Sequence, residues 1–362
     1  MVLYHEGSAA ILQGKSAFLN PKMSILRDIS VSMVNAIGSE GKSLLDSTAA
    51  TGIRGIRYAM ECGLEDITLI DINEKAVTSI KSNLKRNKVR AKVFGKSIQE
   101  LAGSGAGPFD VIDLDPFGSP VPNIHDLLKM SHDGTLLMVT ATDTAVLCGA
   151  HMSACIKLYN ARPMHNELCK EAGIRILLGF AAKSAAQFNL GIEPLLSISD
   201  MHYMRIFMIL RKGAERAVTS VNQLGYAGSC GTCHAFSTST GVVPRLTGRC
   251  SNCGSDEDLA GPLWLGRLYD KSKVSKAITF AGAMPEAKAI LERLHKELDI
   301  PFFYSIPKMT KSMGIGSVSS LRVIESINKS GYPATPTQFE KDAVKTTAPL
   351  SAVGKTVMQC YH

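Results

Sequence analysis

Between residues 42 and 143 short apolar runs alternate with stretches of helical character. The runs are KSLLD (42–46), DITLIDI (66–72), AKVFG (91–95), FDVIDLD (109–115) and GTLLMVTATD (134–143), each followed by turn-forming residues. Such alternation is the pattern of βαβ units, and five strands of this kind predict a doubly wound α/β domain. RILLGFAAKSAAQF (175–188) reads as a helix and HYMRIFMILR (202–211) as a strand, both extending the sheet, and RKGAER (211–216) reads as a linker. The predicted organisation is a first domain over 1–215 and a second over 216–362.

In the second part, Ala287, Ile290, Leu291, Leu294 and Leu298 share one face of a helix predicted over 284–298. A further helix is predicted over 317–329, with Ser317 as N-cap, Val318, Leu321, Ile324 and Ile327 as its apolar face, and Gly331 as its stop. Together with KMTKSMG (308–314) it forms either a helix-turn-helix unit or a helix pair packed only for stability.

A chain of 362 residues suits two domains, and 45% hydrophobic against 20% charged residues excludes disorder. No apolar run approaches the roughly 18 to 20 residues that span a bilayer, and MVLYHEGSAA lacks a basic segment followed by an apolar one. A cytoplasmic protein without a membrane segment is expected. Of nine cysteines, four sit in two CxxC pairs, which points to reduced thiols and a metal site. From residue 216 onward 17 Lys and Arg face 11 Asp and Glu, against 23 and 21 before it, so the basic excess lies in the C-terminal part. That excess suits an acidic partner or a plain solvated surface, and charge alone does not decide. Nothing points to a protein partner.

The first strand runs into DSTAATGIRG, from Asp46 to Gly55, where small residues and Gly52 let the chain turn sharply and approach a ligand before a helix. The GxGxxG spacing is missing, so a nucleoside cofactor without a pyrophosphate is favoured over NAD. Asp71 ends the second strand, 19 residues beyond Gly52. It can accept from both ribose hydroxyls or cap the helix beginning near Asn73, and the two readings are compatible. The fourth strand ends in DLDPFG (113–118). There Asp115 can accept an amine hydrogen, Pro116 leaves its carbonyl free and Phe117 can stack, a set that suits a planar group bearing an amine. A plain Asp-Pro turn with a core phenylalanine is the alternative. No cysteine sits at a comparable strand end, so direct methyl transfer to nitrogen fits better than covalent attack on a ring.

Cys230, Cys233, Cys250 and Cys253 form CGTC, sixteen intervening residues, and CSNC. This is the spacing of a tetrahedral structural Zn2+ site, with a redox pair or an iron–sulfur cluster as alternatives. Cys62, Cys148, Cys155, Cys169 and Cys360 lack such spacing and read as small buried hydrophobes.

In EGSA (6–9), FLNPKMSILRD (18–28), TGIRGIR (51–57), DLDPFGSP (113–120), TATDTAVLCGAH (140–151), GPLWLG (261–266) and ELDIPFFY (297–304), the chain resembles the tRNA (guanine-N2-)-dimethyltransferase family acting at tRNA position 26. The resemblance implies a Rossmann-like class I methyltransferase domain that binds S-adenosyl-L-methionine, followed by a smaller α+β C-terminal domain, here one carrying the four-cysteine site and binding tRNA. It implies that Arg27, Arg54 and Asp71 contact S-adenosylmethionine, that Asp115 engages the guanine amine, and that Phe18 and Phe117 sandwich the flipped base. Arg27 and Arg54 can equally be ordinary salt-bridge partners. Asp46, Gly52, Ser97 and Ile98 complete the expected cofactor set. Family members commonly carry an Asp-Ala pair where this chain has Ser97 and Ile98, which leaves a hydroxyl and the Ile98 N–H for the adenine. The expected reaction adds one or two methyl groups to guanine N2. Rival readings are an N-methyltransferase for DNA or protein, or an inactive zinc-bearing RNA-binding protein.

Overall fold

The computed structural model describes residues 2–14, 17–200 and 202–361. A hairpin of β1 (Val2–Glu6) and β2 (Ala9–Gln13), which the apolar periodicity does not predict, precedes α1 (Ser24–Ala36). All five predicted strands follow, interleaved with helices. They run β3 (Ser43–Asp46), α2 (Ile53–Cys62), β4 (Asp66–Ile70), α3 (Glu74–Asn87), β5 (Lys92–Phe94), α4 (Ile98–Gly103), β6 (Val111–Leu114), α5 (Val121–Lys129) and β7 (Leu136–Ala141). Next come α6 (Thr144–Leu147), α7 (Met152–Tyr159), α8 (Cys169–Ala186), β8 (Leu190–Ser199) and β9 (Met204–Lys212).

The sheet order is β5-β4-β3-β6-β7-β9-β8, parallel throughout except at β9, which runs antiparallel to both neighbours. Every residue of β6 and β7 is buried, which is why their sequences read as continuous apolar runs rather than alternating ones. Strand β8 is unpredicted because Pro194 interrupts it; its register shifts between Pro194 and Leu196, and it forms the sheet edge, where proline is tolerated. RKGAER is taken up by the end of β9, Gly213 and the first turn of α9 (Ala214–Val221).

Beyond it lies a three-stranded antiparallel sheet ordered β11-β10-β12, made of β10 (Leu224–Cys230), β11 (Phe236–Thr240) and β12 (Glu257–Trp264). Then come α10 (Lys271–Phe280), α11 (Pro285–Lys296), β13 (Tyr304–Ser305), α12 (Ile306–Ser312), α13 (Ser320–Lys329), β14 (Ala334–Thr335), β15 (Ala343–Thr346) and α14 (Leu350–Tyr361). The predicted cap at Ser317 is corrected: α13 starts at Ser320, and Ser317 lies in the loop. Ile315 and Val318 in that loop cover a small core, so the helix begins later. Its end is as expected: Gly331, at φ +88°, donates to the Asn328 carbonyl and Tyr332 to the Ile327 carbonyl, a Schellman motif.

Helices α10 and α11 pack on α1, and β12 packs on α8. The join is also ionic. Glu171 and Arg175 of α8 meet Lys345 of β15 and Glu297 after α11, each side chain at most 1% exposed. Among the described residues no helix is long and apolar enough to cross a membrane.

Candidate active site

The carboxyl edge of the large sheet carries most of the predicted site. Asp46 ends β3, and its buried Oδ2 accepts the Gly55 N–H at 3.1 Å. The chain then turns through Gly52, at φ +80°, into α2. Gly55 lets that helix lie close on β4, since a Cβ there would fall 2.7 Å from Leu69 Cδ2. Asp71, half-buried beyond β4, accepts the Ala50 N–H and the Asn73 N–H, each at 2.9 Å. Asn73 itself caps α3. Asp71 therefore braces the loop after β3, and its further lone pairs stay available. The Ser97 hydroxyl is taken by a capping box with Glu100, which leaves Ile98 at the first helical position of α4 with its side chain buried. Ile72, 76% exposed, was not singled out from sequence; an apolar residue directly after a strand-ending acid was the available signal.

Asp115 lies just past β6. Its N–H donates to Thr48 Oγ1 at 3.0 Å, and its Oδ2 accepts from Arg54 Nε at 3.1 Å and from Nη2. Arg54 Nη1 is 3.8 Å from Asp113. Asp113 also accepts from Tyr58 at 2.6 Å and from Arg205 Nη2 at 2.9 Å, and Arg205 reaches Thr140 at 2.6 Å. Three carboxylates, Asp46, Asp113 and Asp115, thus face two guanidiniums. Burial together with Asp113 pushes the Asp46 carboxyl up to about 7. Burial also acts to raise Asp115, but Arg54 and Arg205 overcome it and hold that carboxyl below its usual range. Arg54 Nη1 and Thr51 Oγ1 are buried without a hydrogen-bond partner among the described residues.

Phe18 and Phe117 are brought together, with ring centroids 5.0 Å apart in an edge-to-face arrangement, yet 58% and 78% exposed. Packing does not hold Phe117; hydrogen bonds of the two residues after it do. The Gly118 N–H donates to Thr142 Oγ1 at 2.6 Å, the Thr142 N–H donates to the Gly118 carbonyl at 3.0 Å, and Ser119 donates to Tyr159, whose hydroxyl donates to Asp143. These supporting contacts escaped the sequence reading because the partners, Thr142 and Asp143 after β7 and Tyr159 of α7, lie far along the chain.

Arg27 lies in a different network. It pairs with Glu6, which also takes Arg57, while Arg57 reaches Asp28 and Glu61. This cluster ties the N-terminal hairpin to α1 and α2. It also explains the glycine of EGSA, because a Cβ on Gly7 would meet Glu61 Oε1 at 2.3 Å.

The four clustered cysteines converge. Their sulfurs lie within 4.8 Å of one another, with Cys230–Cys253 and Cys233–Cys250 at 3.5 Å. Zn–S bonds of 2.3 Å in a tetrahedron place sulfurs about 3.8 Å apart, so the set fits such an ion. The short distances run between the two CxxC turns, which argues against either turn as an independent redox pair. Both turns close alike: Cys230 donates to the Ala235 carbonyl and Cys250 to that of Ser255, with His234 and Gly254 at positive φ.

The sequence model of the family described as N2,N2-dimethylguanosine tRNA methyltransferase matches residues 2–359. The chain is 36% identical to a tRNA (guanine(26)-N(2))-dimethyltransferase of Thermococcus kodakarensis, covering 99% of both chains. It is 32% identical to that of Methanosphaera stadtmanae, covering 94% of this chain and 90% of the relative. Its fold is similar to the solved structure of Trm1 from Pyrococcus horikoshii in complex with S-adenosyl-L-methionine, with a TM-score of 0.92 and 33% identity over 98% and 99% of the two chains.

Proposed function

The chain belongs to the N2,N2-dimethylguanosine tRNA methyltransferase family, and on that footing we propose that it transfers one or two methyl groups from S-adenosylmethionine to N2 of guanine 26 in tRNA. The observation that carries the reading is Asp115, held as a carboxylate by Arg54 at the sheet's carboxyl edge, at the start of the loop bearing Phe117. Guanine N2 is a weak nucleophile because its lone pair is delocalised into the ring. Asp115 and the Pro116 carbonyl hold the two amine hydrogens, which directs the lone pair and stabilises the charge that develops on nitrogen. With its carboxyl below the usual range, Asp115 acts by charge and orientation rather than as a strong base. Phe18 and Phe117 stack on the extruded base, worth ~1 to 3 kcal/mol per base.

S-adenosylmethionine supplies an electrophilic methyl group on a cationic sulfonium. The excess carboxylate among Asp46, Asp113 and Asp115 suits that cation, and Arg54 Nη1 and Thr51 Oγ1 offer unused donors beside it. In this reading Asp71 receives the ribose hydroxyls, Gly52 lets the loop approach, Ile72 and the Ile98 N–H meet the adenine, and Arg27, braced by Glu6 between hairpin and helix, contacts the cofactor. Residues 1–215 form the methyltransferase domain and 216–362 the tRNA-binding domain, in a cytoplasmic enzyme. A structural zinc ion sits on Cys230, Cys233, Cys250 and Cys253. Elemental analysis of protein purified without added metal should give one zinc per chain; iron, or freely alkylated thiols, would refute it.

The activity is tested by single-turnover methylation of a tRNA transcript with guanine at position 26 beside one with inosine there, which lacks the N2 amine. Transfer to both at one rate would show that the accepting nitrogen lies elsewhere.

A further inference from the structure

The C-terminal elements from β13 to α14 close around a core of their own, with Ile306, Met309, Val323, Ile327, Val344 and Val353 buried at its centre. The order is strand, two helices, two strands, then a final helix, with the strands arranged β13-β15-β14 and both pairings antiparallel. This is the arrangement of a winged helix-turn-helix, in which the second helix of the pair lies against nucleic acid.

The turn between β14 and β15, the place of the wing, is an anchor. Phe339 is fully buried, and Gln338 donates to the Ser197 carbonyl at 2.9 Å and to Tyr269 Oη at 2.6 Å while its Oε1 accepts the Ser199 N–H at 3.1 Å. Strand registers locate that anchor relative to the site. Ser197 pairs with Ile206, Ile206 with Val139 and Val139 with Leu114, the residue before Asp115. The wing is therefore fixed at the carboxyl edge of the sheet, three strand spacings or about 14 Å from the catalytic loop's root.

With the wing buried, α12 and α13 still present exposed residues to solvent. Residues 306–324 include Lys308, Lys311 and Arg322, all exposed, and no acidic residue; Lys329 follows, with Glu325 the one acid on α13. Leu321 stands 62% exposed beside Arg322. We propose that α12 and α13 form a docking surface for the double-stranded RNA stem flanking the methylated nucleotide, with Lys308, Lys311, Arg322 and Lys329 on phosphates and Leu321 against ribose. The proposal rests on the tRNA reading above. An A-form duplex has a major groove too deep and narrow for side chains to read, so the contact is to the backbone and the 2′-hydroxyls. Binding through this face is salt-sensitive and indifferent to stem sequence.

The test uses full-length protein carrying Arg322→Glu with Lys329→Glu, beside a control of equal charge change, Lys81→Glu with Lys85→Glu on the exposed face of α3. Binding of a tRNA transcript is measured across salt concentrations, with S-adenosylmethionine affinity and the single-turnover rate at saturating tRNA. All four positions are exposed, and thermal unfolding checks the fold. The α13 variant should bind tRNA tenfold or more weakly at ~0.1 M salt, with a log–log salt slope shallower by ~1.5 to 2, as expected for two lost phosphate contacts. Cofactor affinity and saturating rate should be unchanged, and swapping base pairs within the stem should not matter. An α13 variant that binds like the α3 control overturns this proposal alone. A parent protein that binds no tRNA overturns it together with the reading it rests on.

Discussion

Two charge clusters in this molecule, one fully interior and one open at Asp115, are built from similar groups and differ in their accounting. Where the two parts of the chain join, Glu171 and Glu297 face Arg175 and Lys345. Both oxygens of Glu171 lie 3.1 Å from Lys345 Nζ, Arg175 also caps the Trp264 and Gly266 carbonyls, and Glu297 receives Thr337 and the Gln338 N–H. Charges balance there in number: burial's tendency to raise Glu171 is overcome by Lys345 and Arg175, which hold it below its usual range, while burial keeps Glu297 above its own and Glu171 Oε2 has no hydrogen-bond partner among the described residues. At the sheet edge three carboxylates face two guanidiniums, one carboxyl has moved to about 7, and Arg54 Nη1 has no hydrogen-bond partner among the described residues, with Asp113 at 3.8 Å. The difference between the two is one of count, two cations for two carboxylates in the first and two for three in the second.

The largest effect should come from Lys345→Met, which leaves two buried carboxylates with one cation. Urea unfolding should show a loss of about 3 to 5 kcal/mol, and a loss below about 1 kcal/mol would remove the contrast. Next, Asp115→Asn should lower the single-turnover rate by roughly 100-fold while sparing cofactor binding. Its melting temperature should fall below the parent's at neutral pH, since the Asp115 carboxylate, held below its usual range by Arg54 and Arg205, stabilises the folded state; parental activity in the folded variant would show that Asp115 merely ends the strand. Asp71→Ala should weaken S-adenosylmethionine binding by ~1 to 3 kcal/mol in calorimetry, because buried hydroxyls lose their acceptor. Unchanged affinity would exclude Asp71 from the cofactor site. The smallest effect concerns pH. Asp46 binds its proton more tightly folded than unfolded, so its contribution to stability is full below the unfolded value near 4 and is lost as pH rises toward about 7. Asp46→Asn should therefore melt higher than the parent at about pH 8 and lose that advantage at about pH 4, and a constant difference would place the Asp46 pKa elsewhere.

What could be read from the sequence was local. Five apolar runs became five strands because helices cover both faces of the sheet, and Gly331 stopped α13 because a positive φ is needed there. Two CxxC turns announced that their sulfurs would meet. The unread parts are those whose meaning comes from afar. Arg205 sits in a strand that reads as plain apolar sequence, and its partners Thr140 and Asp113 lie 65 and 92 residues away. The pairing of Arg27 with Glu6 was unread because Glu6 lies in a hairpin that no periodicity reveals. Gln338 and Phe339 look like ordinary turn residues until β8, itself hidden by Pro194, comes to lie beneath them.

The Phe18–Phe117 pair has a further consequence. Its centroids are 5.0 Å apart, whereas a flat ring in van der Waals contact on both faces needs a slot of ~7 to 8 Å. The two rings, now at 72° to each other, must therefore both turn and move about 2 to 3 Å apart before a flat ring is held face to face between them. Each gives up a neighbour in doing so, a loss of ~0.5 to 1.5 kcal/mol that only a guest offering two aromatic faces can make good. A saturated ring, which has no π-face, would recover less of that loss.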